Sequence, residues 1–270
     1  PRRIVKKNIK NTTLLLSFKF FLELNIMYTY FFMKKKLLIF IITYKAKYRV
    51  KKVFNSIPFN KLKKFYTKVL ISDDCSEDET VNLIKKIKGK NIKKIFNLKN
   101  LGYGGNIKQC LSFAKRNKFD YAIMIHGDGQ YQPKYMIEML NQIEKSKDIM
   151  AVSGSRMAQK KNALKGKMPL YKFLGNIVLT TLANLITGTK FTDGHSGFWL
   201  YKVSILKKIN LKTITNGFNF DQEMRFRFIK NNYNIHEVPI KTKYGTERSS
   251  IHLTYAARYF FEILMFHFKK

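Results

Sequence analysis

From Leu37 onward, short apolar runs alternate with longer stretches in which apolar and polar residues mix at helical spacing. Leu37–Thr43, Lys68–Ser72, Asn91–Asn97, Tyr121–Ile125 and Ile149–Ser153 read as strands, with Tyr48–Ser56, Glu77–Ile87, Gly104–Asn117 and Pro133–Lys147 as the helices between them. Strands without polar alternation are covered on both faces, and a repeated strand–helix–strand cycle builds a parallel sheet. The pattern predicts an α/β fold, a Rossmann-like and mostly parallel sheet with helices on both faces. The second half is less periodic: Pro169–Ile186 reads as a helix, Thr192–Tyr201 as a turn plus strand, Phe220–Lys230 as a helix and Tyr233–Lys241 as a strand.

The polar residues that follow the strands predict where the chemistry lies. Thr43-Tyr44, Asp73-Asp74, Asn97–Asn106 and His126–Gln130 each come just after a strand, and ligands gather at the carboxyl ends of such sheets. His126, Asp128 and Gln130 alternate with Gly127 and Gly129, so one short turn offers three nitrogen or oxygen ligands while its glycines let a bulky ligand approach. An ordinary strand-end turn has the same composition. Ser76 reads as an N-cap with Glu77–Glu79 complementing the helix dipole, which leaves one of Asp73 and Asp74 for a base N–H or a ribose hydroxyl. Gly102, Gly104 and Gly105 do not have dinucleotide-fingerprint spacing; they read as a loop that opens a helix, either letting a nucleotide or sugar pass or serving the helix start alone.

Composition changes this picture in three ways. With 270 residues and 45% hydrophobic content a core is assured, and disorder is excluded as the default. The formal charge of +35 is mostly Lys spread along the chain, with no nucleic-acid module, so it suits anionic headgroups and phosphorylated substrates rather than nucleic acid. Cys75 and Cys110 lack metal-type spacing and suit a reducing, cytoplasmic compartment. At the ends, Leu14–Phe32 is apolar but contains Lys19 and Glu23, each costing about 2.5–3.5 kcal/mol at the centre of a spanning helix. Residues 1–32 are therefore read as an extension or interfacial segment before a domain of residues 33–250. Residues 251–270 contain the aromatic, Lys-flanked run Thr254–Lys270, open to interfacial membrane contact or to packing.

Seven motifs then fall in order: Tyr44; Asp73-Asp74-x-Ser76-x-Asp78-x-Thr80; Asn100-x-Gly102-x-Gly104; Asp128-x-Gln130-x-x-Pro133; Gly154-Ser155-Arg156; Asp193-x-x-Ser196-Gly197-Phe198; and Glu237-Val238-Pro239-Ile240. Together they resemble the family 2 glycosyltransferases, in particular the dolichol-phosphate mannosyltransferase and polyprenyl-phosphate hexosyltransferase branch, over about residues 36–250. The resemblance implies a GT-A fold and an inverting transfer of a hexose from a nucleotide-diphosphate sugar, with Mg²⁺ or Mn²⁺ bridging the phosphates. It implies that Thr43, Tyr44, Asp73 or Asp74, Asn100, Gly102 and Gly127 serve the donor, and that the metal falls to His126, Asp128 and Gln130, with His126 where the family has Asp. Arg156, Lys243 and Arg248 would lie around phosphates. Ile42 and Ala46 replace the family's usual Pro and acidic residue. The implied acceptor is a polyprenyl phosphate, whose oxygen is already anionic; a saccharide of a cell-surface polymer would instead need a base, for which Asp221, Glu223 and Asp193 are candidates beside the catalytic Asp128. A nucleotidyltransferase and a noncatalytic basic membrane- or RNA-binding protein are the other classes. The expected location is the cytoplasmic face of the membrane, held peripherally, with the oligomeric state open.

Overall fold

In the computed structural model the described residues are 34–242 together with Lys19, Phe21, Tyr244 and Phe261. The strands are β1 (Lys36–Thr43), β2 (Tyr66–Asp73), β3 (Ile92–Phe96), β4 (Tyr121–His126), β5 (Ile149–Ser155), β6 (Trp199–Lys202) and β7 (Asn234–Pro239). They form one seven-stranded sheet in the order β3-β2-β1-β4-β6-β5-β7. The helices are α1 (Arg49–Asn55), α2 (Thr80–Lys85), α3 (Tyr103–Arg116), α4 (Met136–Lys145), α5 (Lys160–Lys165), α6 (Leu170–Thr187) and α7 (Phe220–Lys230).

The uniformly apolar strands are explained by two cores, one on each face. Along β1, Leu37, Ile39 and Ile41 join Val50 and Val53 of α1 and Met139 and Leu140 of α4. The alternate residues Leu38, Phe40 and Ile42 join Ile107 and Leu111 of α3 and Met224 and Phe228 of α7. Successive strand side chains point to opposite faces, so a strand covered twice must be apolar at both parities.

β6 is the exception to the parallel pattern. It pairs antiparallel with both β4 and β5, with Tyr201 beside Ala122 on one side and Ala151 on the other. The consequence is functional: an antiparallel strand brings its amino end to the rim where its neighbours have their carboxyl ends. The loop before Trp199, which contains Asp193, Ser196 and Gly197, therefore enters the site.

The helix expected over Glu77–Ile87 is shorter, Thr80–Lys85, and Ser76 does not cap it. The Ser76 side chain is bound to Asp73, and Asp78 Oδ1 accepts the Thr80 N–H at 3.0 Å instead. The Lys-rich α5 was not expected from the sequence because it has no apolar stripe; only Ala163 is buried. Most of residues 1–32, Lys243, Arg248 and, apart from Phe261, the Thr254–Lys270 run lie outside the described residues.

Candidate active site

The ends of β1 and β2 lie side by side, Thr43 opposite Asp73. Thr43 Oγ1 donates to Asp73 Oδ1 at 2.9 Å, which also accepts from the Ser76 hydroxyl at 2.7 Å, while Oδ2 takes the Ser76 N–H at 2.8 Å. Both oxygens of Asp73 are thus committed to shaping the turn. Asp74 Oδ1 accepts from Asn97 Nδ2 at 2.9 Å and from the Leu101 N–H at 2.8 Å, and its Oδ2 makes no hydrogen bond among the described residues. Of the pair, Asp74 is the one that keeps an acceptor. Tyr44 stands beside them, half exposed, with the Lys45 ammonium 5.2 Å from its ring centre.

The glycines that open α3 lie against the 215–216 backbone. A Cβ on Gly102 would sit 2.6 Å from the Asn216 carbonyl oxygen, and one on Gly104 2.5 Å from that of Thr215. The Gly104 and Gly105 N–H groups already donate to Asn216 O at 2.7 and 3.3 Å. Protein backbone of Thr215 and Asn216 thus packs against the glycines that open α3. Glu223 anchors that loop by accepting the Thr215 N–H at 3.2 Å, and Asn100 Oδ1 fixes the glycine turn through the Gly102 N–H at 2.8 Å.

At the end of β4 the turn is pressed onto β1: a Cβ on Gly127 would lie 2.5 Å from Thr43 Cγ2. Asp128 is exposed beyond it, with Oδ1 accepting the Gln130 N–H at 2.9 Å. His126 is directed inward. Its Nε2 lies 3.2 Å from the Tyr103 hydroxyl, and its ring meets Tyr103 and Tyr131 edge-on. Tyr103 in turn donates to Asp221 Oδ2 at 2.6 Å. The contact with Tyr103 engages the Nε2 side of the His126 ring. Burial holds the imidazole below its ordinary range, against the opposing pull of Asp128.

Asp221 lies in the first turn of α7 and is buried, and its Oδ1 has no hydrogen-bond partner among the described residues. Burial pushes its carboxyl up to about 7, against the Tyr103 hydrogen bond and the Arg225 charge. A carboxyl raised in the fold contributes stability that is complete below its unfolded value of about 4 and is lost as pH rises through about 7. Asp221→Asn, which keeps an acceptor for Tyr103, is therefore expected to raise the melting temperature by several degrees at about pH 8. The difference should vanish near about pH 4, and thermal unfolding followed by circular dichroism at both values checks it.

The third part of the site joins β5 to the loop before β6. Arg156 follows β5 and is buried against Asp193, with Nε to Oδ2 at 2.7 Å, Nη2 to Oδ1 at 2.9 Å and its own N–H to Oδ2 at 3.0 Å. Asn176 Nδ2 of α6 adds a further donor to Asp193 Oδ1 at 2.8 Å. The Arg156 charge and these donors overcome burial and hold Asp193 well below the usual carboxylate range. A carboxylate so bound does not take a proton from an acceptor; Asp193 holds Arg156 instead. Glu237 fastens the same loop by accepting from the Thr192 and Asp193 N–H groups at 2.6 and 3.1 Å. Arg225 Nη2 donates to the Asp193 carbonyl at 3.0 Å, with its guanidinium over Phe191 and Trp199.

Tyr103, Asn176 and Arg225 were not singled out from the sequence. Asn176 and Thr180 had a usable signal, two polar residues one turn apart in a mostly apolar helix. Tyr103 had none beyond its place between two glycines.

Three elements of the α/β sheet thus bring Asp74, Asp128 and Arg156 to one rim. The glycosyl transferase family 2 model matches residues 38–210, more than half of the chain and across all three. The chain belongs to glycosyl transferase family 2. Among its relatives, a UDP-N-acetylglucosamine–dolichyl-phosphate N-acetylglucosaminyltransferase of Methanococcus voltae is 29% identical over 73% of this chain and 83% of its own. A polyprenol monophosphomannose synthase of Mycolicibacterium smegmatis is 21% identical over 64% of this chain and 65% of its own. The fold is shared with glucosyl-3-phosphoglycerate synthase of Mycobacterium tuberculosis, solved with Mn²⁺, UDP and glucosyl-3-phosphoglycerate; the TM-score is 0.60 at 12% identity, covering 86% of this chain and 79% of the other. This family 2 chain is accordingly a glycosyltransferase of GT-A fold, and the sheet matches the arrangement expected.

No group of three or more His, Cys, Asp and Glu side chains suited to a metal occurs among the described residues. That is compatible with Mg²⁺ or Mn²⁺, since Mg²⁺ usually takes only one or two protein carboxylates and completes its shell with substrate phosphates and water. Asp128, exposed and with Oδ2 unengaged among the described residues, fits that part.

Proposed function

We propose that this glycosyltransferase moves a hexose, with inversion, from a nucleotide-diphosphate sugar to a polyprenyl phosphate. The observation that carries the choice of acceptor is the state of the carboxylates. Asp193 is locked to Arg156, Asp221 is buried and accepts from Tyr103, and Glu223 accepts the Thr215 N–H, whereas Lys160 and Lys161, shortly after Arg156 in the chain, are exposed. An anionic acceptor needs cations and no strong base. The names of the Methanococcus and Mycolicibacterium relatives support the same acceptor class.

In this reading Tyr44 and Asp74 hold the nucleoside and Asp128, with its turn braced by Gln130, takes the divalent cation. Such a cation would offset negative charge on the departing nucleotide diphosphate. Arg156, and Lys243 and Arg248 beyond the described residues, bind phosphate, for which the planar guanidinium is well shaped. A hydroxyl acceptor is the second reading, favoured only by Asp221, whose carboxyl near 7 has the acidity of a general base.

The test is to incubate the full chain with a panel of nucleotide sugars and Mn²⁺, with undecaprenyl phosphate in vesicles or with soluble saccharides. The expected result is nucleotide-diphosphate release with sugar label recovered in the lipid. Labelling of soluble saccharides alone would overturn the lipid-phosphate reading. Peripheral attachment at the cytoplasmic face follows from this acceptor and from the positive charge of the chain.

A further inference from the structure

The turn that carries Asp128 is held mainly at its two ends. Asp128 itself is exposed, and the hydrogen bonds beyond it are local: Gly129 N–H to His126 O at 3.4 Å and Gln130 N–H to Asp128 Oδ1 at 2.9 Å. The Gly127 N–H, which donates to Ile42 O at 2.9 Å, ties only the start of the turn to β1. At the ends, the rings of His126 and Tyr131 meet edge-on with centres 5.0 Å apart. Residues 127–130 are thus an arch standing on two inward side chains.

One hydroxyl sits where that arch meets the rest of the site. Tyr103 Oη is 2.6 Å from Asp221 Oδ2, to which it donates, and 3.2 Å from His126 Nε2. The loop before β6 closes over the same point: a Cβ on Gly197 would lie 2.8 Å from both Tyr103 Oη and His126 Cε1, and the Gly197 N–H donates to Tyr131 Oη at 3.0 Å. Four segments therefore converge on Tyr103 Oη, the start of α3, the end of β4, the loop before β6 and the first turn of α7. Inside a protein such linked hydrogen bonds polarise one another, and a short one to a carboxylate fixes its donor. The Tyr103 ring is seated separately, stacked on Phe218 with centres 5.4 Å apart. The hydroxyl can be removed without unseating the ring.

We propose that Tyr103 is a positioning residue for the Asp128 carboxylate: its hydroxyl, held by Asp221, fixes the His126 ring and with it the arch of residues 127–130 that presents Asp128. Tyr103 acts here through His126 and not on a reacting atom. The inference rests on the reading above that Asp128 takes the divalent cation, and the first measurement below uses neither cation nor substrate, so that either can fail alone.

Amide hydrogen exchange is followed in the full chain, wild type and variants, at neutral pH. Tyr103→Phe should speed exchange of the Gly127, Gly129 and Gln130 amides by about five- to tenfold while leaving those of β1 and β2 as in wild type. Asp221→Asn, which keeps an acceptor for the hydroxyl, should exchange in the arch as wild type does. Asp221→Leu should loosen the arch as Tyr103→Phe does, and the double variant should loosen it no further than the single ones. In a second measurement Mn²⁺ is titrated with UDP present and the signal of free Mn²⁺ is read by electron paramagnetic resonance. Tyr103→Phe should bind Mn²⁺ about tenfold more weakly than wild type, and Asp221→Asn close to wild type. An arch that exchanges at the wild-type rate in folded Tyr103→Phe would overturn the proposal, as would faster exchange spread evenly over β1 and β2, which marks a general loss of stability. Additive effects in the double variant would remove Asp221 from it. A loosened arch with unchanged Mn²⁺ affinity would overturn the link to Asp128, whereas no uptake of Mn²⁺ by wild type would overturn the cation reading and leave the exchange result to decide on Tyr103.

Discussion

Replacing Asp128 with Ala is expected to lower turnover by on the order of 100- to 1000-fold while leaving the melting temperature almost unchanged. The side chain is exposed at the end of β4, and its hydrogen bond to a described residue is to the Gln130 N–H two residues away, so little packing is lost. What is lost is the carboxylate proposed above to take the divalent cation. Nucleotide-diphosphate release at saturating donor, followed over a range of Mn²⁺, checks it. Near-normal turnover with an unchanged metal requirement would remove Asp128 from the chemistry.

The opposite profile is expected for Asp193→Asn: a large loss of stability, with activity falling because Arg156 is no longer held. Removing one partner of a buried ion pair leaves the other uncompensated and costs about 3–5 kcal/mol. The Asp193 carboxylate is fully buried and accepts from Arg156 three times and from Asn176 once. The pH dependence has a definite sign. A carboxyl lowered in the fold contributes stability that is present above its unfolded value of about 4 and is lost as pH falls below it toward the folded value. The gap between wild type and Asp193→Asn should therefore be widest near neutrality and narrow below about pH 4. Urea denaturation across that range measures it, and a gap independent of pH would show that Asp193 does not act as a charge.

The parallel strands β1 to β5 and the place of the site are legible in the sequence, because both are written locally. An apolar run such as Tyr121–Ile125 can be satisfied only by cover on both faces, and the Gly-Asp-Gly that follows can only be a turn at the strand's end. β1 to β5 and the rim positions of Asp74, Asp128 and Arg156 were legible for that reason. Tertiary structure decided which groups pair. Asp221 meets Tyr103 across 118 positions of chain, and Asp193 meets Arg156 across 37; no local spacing encodes either. The second depends on β6 running against its neighbours, which carries the loop of Asp193 and Gly197 to the rim, a direction that four residues of strand do not specify. The glycines before α3 make the same point, since their missing side chains admit whatever approaches. Only the folded chain shows that Thr215 and Asn216, more than a hundred residues away in sequence, fill that space.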